Sequence, residues 1–129
     1  MNLLLDTHIL LWAAGQPDRL SEKCKNLLLH PSNTLNFSAA SLWEISIKFS
    51  LGRSDFNVDP GLLRQMLLRN GFHELSVNGE HAIAVSMLPT LHKDPFDRIL
   101  ITQARTEGML LITSDSLVAA YGDGIWLVD

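Results

Sequence analysis

Short apolar runs alternate with helical stripes along this chain. "NLLL" at 2–5 is a continuous apolar run ending in Asp6, the pattern of a strand buried on both faces. "TLNFS" (34–38), "HELSV" (73–77), "MLLIT" (109–113) and "IWLV" (125–128) are the other strand candidates. Helix signals fill the gaps. "THILLWAAG" stops near Gly15 and Pro17, and Ser21 caps "EKCKNLLLH", which Pro31 ends. "AASLWEISIKFSLG" carries Leu42, Ile45 and Phe49 on one face and stops at Gly52. "SDFNV" reads as a loop. Asp59 and Pro60 open "GLLRQMLLRN", and "GEHAIAVSML" ends before Pro89. Asp94 and Pro95 open "FDRILITQARTE", which Gly108 closes, and "DSLVAAY" is a last short helix. Strands alternating with helices predict an α/β fold with a central, mainly parallel sheet of about five strands flanked by helices. With no repeat, linker or low-complexity stretch, residues 1–129 read as a single domain. Trp12, Trp43 and Phe49 fall at helical positions among aliphatic neighbours and read as core.

Composition narrows the class. Hydrophobic residues make up 47% and charged ones 19%, enough to bury a core. The longest apolar runs, such as "ILLWAA", are too short to cross a bilayer, so no membrane association is expected. "MNLLLDTH" has no basic region before its apolar run, unlike a secretory signal. The single cysteine, Cys24, excludes an internal disulfide, fits a reducing cytoplasm, and is expected to be packed. A net charge of −4 argues against broad electrostatic binding of nucleic acid. It leaves room for a local site where metal ions offset acids.

The acids sit where such a site would form. In open α/β sheets, sites lie beyond the carboxyl ends of the strands. Asp6 follows the first strand and Asp115 follows "LLIT". Ser38 ends the second strand with Glu44 a little under two turns later, and Asp97 lies in the first turn of its helix. Four acids from distant parts of the chain would then meet at one sheet edge, where their repulsion calls for a divalent cation of the Mg²⁺ or Mn²⁺ type. Each also has a plainer role. Asp6, Asp94 and Asp115 can cap helices, Asp97 can favour a helix dipole, and Glu44 can pair with Lys48 four residues on. For Asp94 the cap is the favoured reading. The five histidines have no zinc-ligand spacing, and surface or packing roles are expected for His8 and His92. No Gly-x-Ser-x-Gly elbow or Gly-rich phosphate loop occurs.

"LLLDTHILLW", "SAASLWEISIKFSLG" (38–52), "DPFDRILITQA" (94–104) and "LLITSD" (110–115) together resemble PIN-domain proteins, in particular the VapC-type toxins of bacterial type II toxin–antitoxin systems. The resemblance spans almost the whole chain, with its four segments in order. It implies a Mg²⁺- or Mn²⁺-dependent endoribonuclease with catalytic and metal-holding acids at Asp6, Glu44 (direct or through water), Asp97 and Asp115. Asp94 matches an extra acid of the "DPFDR" subgroup. Thr7, Ser38 and Thr113 match supporting hydroxyls, and Lys48 matches a basic residue one turn after the glutamate. Cleavage would leave a 3′-hydroxyl and a 5′-phosphate, with tRNA or rRNA as frequent targets of such relatives. A cognate antitoxin is implied as partner, over apolar helices such as "NLLLH" and "GLLRQMLL", and a homodimer is common in the family. Lys48, Lys93 and Arg98 are candidates to hold neighbouring phosphates.

Two other readings remain open. A PIN-fold binding module without activity would keep the same acids. A phosphotransfer enzyme with Asp6 as nucleophile fits less well, because the second Asp expected two residues on is His8. A receiver-type signalling domain lacks its acid pair near the first strand.

Overall fold

The computed structural model describes residues 1–128. Asp129, the last residue of the expected domain, lies outside them. Five parallel strands form one sheet: β1 (Asn2–Leu5), β2 (Thr34–Ser38), β3 (His73–Leu75), β4 (Leu110–Thr113) and β5 (Ile125–Leu127), in the order β3-β2-β1-β4-β5. Seven α-helices flank it: α1 (Thr7–Gly15), α2 (Glu22–Leu29), α3 (Ala39–Ser50), α4 (Pro60–Arg69), α5 (Gly79–Ala84), α6 (Pro95–Glu107) and α7 (Ser116–Ala119). Short 3₁₀ turns at Pro17–Arg19 and Val85–Met87 complete the described elements.

β1 is central because it is apolar on both faces. Leu3, Leu4 and Leu5 are all fully buried. Alternation along the strand sends Leu3 and Leu5 into one core with Ile9, Phe37, Ile45 and Leu67, and Leu4 into another with Leu100, Ile101 and Leu111. Leu3 and Leu4 pair with Leu35 and Asn36 of β2, and Leu3, Leu4 and Leu5 with Leu110, Leu111 and Ile112 of β4. The buried Asn36 uses its side-chain amide on the Leu3 carbonyl at 3.0 Å, which settles its polar group inside the sheet.

From β1 the chain fills one side of the sheet with β2 and β3 and then crosses to the other with β4 and β5. The reversal places a crevice at the carboxyl ends of β1 and β4, where Asp6 and Asp115 stand. Asp6, Ser21, Ser38, Asp59, Asn78, Asp94 and Asp115 each accept a hydrogen bond from a backbone amide in the first turn of the following helix.

Most expected boundaries hold within a residue or two. The third strand is shorter, ending at Leu75, and the expected 79–88 helix is a six-residue α-helix followed by a 3₁₀ turn. The aromatic core reading needs correction at two of its three positions. Trp43 is 63% exposed and Phe49 is exposed too, while Trp12, half-buried, packs against the core with the Arg19 guanidinium 4.9 Å from its ring centroid. α3 buries one stripe, centred on Ile45, so Trp43 falls outside it.

α6 ends at Gly108, whose φ of +68° is left-handed and turns the chain into β4. Gly108→Ala should lower the unfolding free energy by about 1 kcal/mol, read as a lower urea midpoint at unchanged slope. An unchanged midpoint would show that the left-handed cap contributes nothing to the helix's stability.

Candidate active site

Asp6 is buried, and both its oxygens are engaged. Oδ1 accepts from the Ile9 amide at 2.8 Å, and Oδ2 accepts a short hydrogen bond from the Thr113 hydroxyl. The same Thr113 Oγ1 accepts from the Asp115 amide at 3.0 Å, so one hydroxyl ties the ends of β1 and β4 together. Asp115 in turn caps α7 through Leu117 N at 2.8 Å. Burial pushes the Asp6 carboxyl up to about 6, against the pull of Thr113, Ile9 and His8, and the charge of Asp97 adds to the rise.

Asp97 projects from the first turn of α6. Burial raises its pKa, His92 lowers it by hydrogen bonding, and the charges of Asp94 and Glu44 raise it. His92 Nε2 is 2.7 Å from Asp97 Oδ2. His92, Asp94 and Asp97 each offer a ligand atom within 4.8 Å of the others, the one such metal-ligand set found among the described residues. Asp94 also caps α6 as expected, with Oδ1 accepting from Phe96 N at 2.8 Å.

Glu44 comes to the same place from α3. Its Oε2 pairs with Lys48 Nζ at 3.3 Å, the expected i,i+4 contact. Its Oε1 is buried and has no hydrogen-bond partner among the described residues. An orphaned carboxylate oxygen costs on the order of 1–3 kcal/mol or more, so the site calls for a cation or donor there. The electrostatic couplings join Asp6 to Asp97 and Asp97 to Glu44 and Asp94. Oxygen donors of this kind suit Mg²⁺ or Mn²⁺.

Thr7 and Ser38, expected to support the cluster, make hydrogen bonds that join elements around it. Thr7 Oγ1 donates to Ser41 Oγ at 3.0 Å, joining α1 to α3. Ser38 Oγ accepts from Ala40 N at 3.0 Å, capping α3, and donates to Gln103 Oε1 at 2.5 Å. Gln103, fully buried on α6, also donates to the Ser76 carbonyl at 3.3 Å. It thereby fixes the helix of Asp97 against the helix of Glu44. Its signal in the sequence was a long polar side chain on the apolar stripe of that helix.

Two expectations about individual residues change. His92 does more than pack: it is the hydrogen-bond partner of Asp97, reached across the turn from loop to helix. Arg98 is not free for phosphate. Its guanidinium donates to the carbonyls of Pro89, His92 and Val85 at 3.0, 3.3 and 3.2 Å, and to the Tyr121 hydroxyl at 3.1 Å. Tyr121 Oη accepts from His92 N at 3.0 Å, so Arg98 and Tyr121 together clamp the segment that carries His92. Lys48 and Lys93 line an open cleft with Glu44, Asp94, Pro95 and Phe96.

The PIN domain model matches residues 3–123. The chain belongs to the PIN domain family. Three solved structures share its fold. VapBC2 from Rickettsia felis, bound to a DNA fragment from its promoter, gives a TM-score of 0.70 at 16% identity, covering 97% of this chain and 96% of that one. VapBC-1 from nontypeable Haemophilus influenzae gives 0.63 at 18% identity, covering 94% and 92%. VapC20 from Mycobacterium tuberculosis, a Sarcin-Ricin loop cleaving toxin, gives 0.63 at 16% identity, covering 93% and 95%. No curated protein matches the chain. Among the described residues, no helix of this PIN domain is long and apolar enough to cross a membrane.

The raised Asp6 carboxyl fixes the sign of a pH effect. Between the ordinary value of 3.8 and about 6 the unfolded chain is ionised while the folded one stays protonated, so metal-free stability falls as pH rises. Above that window the cost is constant. Asp6→Asn in EDTA should therefore raise the urea midpoint at pH 7.5, and the gain should vanish near pH 4. An equal gain at both pH values would place its origin outside the buried charge. Arg98→Ala should cost about 2 kcal/mol and loosen the segment at 85–92, seen as faster amide exchange there. Unchanged exchange would remove Arg98 as the clamp.

Proposed function

We propose that this PIN domain is a metal-dependent endoribonuclease and the toxin of a type II toxin–antitoxin pair, acting in the cytoplasm. The observation that carries the reading is Glu44 Oε1, buried without a hydrogen-bond partner among the described residues and near Asp97 in a cluster of carboxylates. Asp6, Asp97 and Asp115 would hold Mg²⁺ or Mn²⁺, with Glu44 direct or through water and Asp94 and His92 at the edge. The ion, when bound, offsets charge on the scissile phosphate and acidifies water for attack.

The chain's own residues divide the remaining work. Glu44 accepts the proton of the attacking water. His92 holds the Asp97 carboxylate, and Thr113 holds that of Asp6, so neither rotates as charge moves. Because both Asp6 oxygens already accept hydrogen bonds, a holding role suits it better than attack on phosphorus. Lys48 and Lys93 bind flanking phosphates in the open cleft. Cleavage leaves a 3′-hydroxyl and a 5′-phosphate on a cellular RNA of the tRNA or rRNA kind.

The antitoxin would cover an apolar groove between α1 and α4, lined by Leu11, Ala14, Val58, Leu62 and Met66. Leu62 is 66% exposed there, although Leu63 and Leu67 of the same helix are core. The "NLLLH" segment likewise splits, with Leu29 81% exposed and Leu27 packed inward. A homodimer belongs to the same reading, and sedimentation of the purified chain tests it.

The deciding experiment is cleavage of a mixed cellular RNA pool by purified, antitoxin-free protein with Mg²⁺, Mn²⁺ or EDTA. Discrete products should require metal and disappear in Asp97→Asn, whose circular dichroism stays native. Asp94→Asn should keep much of the activity, since Asn also caps helices. Cleavage that survives Asp97→Asn would refute the assigned chemistry, and a complete loss in Asp94→Asn would make Asp94 a ligand.

A further inference from the structure

Two aromatic side chains stand beside the carboxylates. Trp43 and Phe96 each precede an acid by one position, Glu44 on α3 and Asp97 on α6. Their rings meet edge-to-face at 5.1 Å between centroids and 72° between planes. Trp43 remains mostly exposed, and an apolar groove bounded by Ala39, Ala40, Val85 and Ile99 opens beside the pair. The cleft that holds Lys48 and Lys93 shares Pro95 and Phe96 with this groove. The acids, the two lysines and the aromatic pair therefore border adjoining surfaces.

These surfaces suit a single strand of nucleic acid. Ammonium groups suit phosphates, and an exposed indole suits a planar base. A peptide would use the apolar groove but carries no regular negative charge for the two lysines. Paired bases already stack on their neighbours and cannot reach the ring. We propose that Trp43, backed by Phe96, is a stacking platform for an unpaired base of an RNA strand whose phosphates run along Lys48 and Lys93. The platform rests on the ribonuclease reading and adds to it a residue that holds one unpaired base beside the cleft.

The test measures binding by fluorescence anisotropy, with Mg²⁺ present and Asp97→Asn as the background that prevents cleavage. The probes are a mixed-sequence single-stranded oligoribonucleotide, the same sequence as a duplex, and a strand with abasic positions. Trp43→Leu should weaken single-strand binding by roughly tenfold or more, and Trp43→Phe should restore most of it. Duplex and abasic probes should bind more weakly and be indifferent to position 43. Equal single-strand affinity of Trp43→Leu and its parent, with metal-dependent cleavage intact in the Trp43→Leu single variant, would overturn the platform and leave the ribonuclease standing. Absence of both cleavage by the wild type and RNA binding by the parent would overturn both. Loss of antitoxin binding by Trp43→Leu with unchanged RNA affinity would assign the groove to a protein and also overturn the platform.

Discussion

Like charges held close together in a half-buried crevice are the constraint on which the rest of this structure turns. Asp6, Glu44, Asp94 and Asp97 come from three separate stretches of chain, and burial first, with the neighbouring acids adding to it, raises the carboxyls of Asp6 and Asp97. Such a cluster opposes folding unless something offsets it. The protein offsets part of the repulsion itself, through the Thr113 hydroxyl, the His92 ring, the Lys48 ammonium and the helix-capping amides. It leaves Glu44 Oε1 without a partner among the described residues. The remaining debt is what a divalent cation would cancel.

Holding the acids in place takes further polar contacts behind them, most of them buried. Ser38, Gln103 and Ser76 link β2 to α6 and the segment after β3, and Thr7 and Ser41 link α1 to α3. Thr7, Ser38, Ser41 and Gln103 are buried, so each must be satisfied, and satisfying them fixes the angle at which α3 and α6 approach. Arg98 works in the same way on the opposite side. Adjacent to Asp97, it spends its charge on carbonyls of the 85–92 segment and so aims His92 at Asp97. A cation one position from a candidate metal-holding acid need not be there for substrate.

Much of this was legible in the chain. Continuous apolar runs, capping residues and terminal glycines are signals of a few neighbouring residues, and they marked the strands and nearly all helix starts. The alternation of strands and helices then carried the parallel α/β arrangement, and acids at strand ends marked the crevice. The Asp94-Pro95 cap reads correctly for the same local reason: Oδ1 needs only the amides two and three residues on.

Tertiary structure decided what each side chain faces. The sequence alone determined that Trp43, Arg98 and His92 lie on or beside helices near the acids; it did not determine where they point. Trp43 looks like core by composition, yet α3 turns it outward because Ile45 and its stripe take the sheet-facing side. Arg98 looks like a phosphate ligand until the 85–92 segment folds back over it, and His92 looks idle until the same fold sets it 2.7 Å from Asp97. Those outcomes depend on contacts between segments distant in the chain, and periodicity and capping carry no information about them.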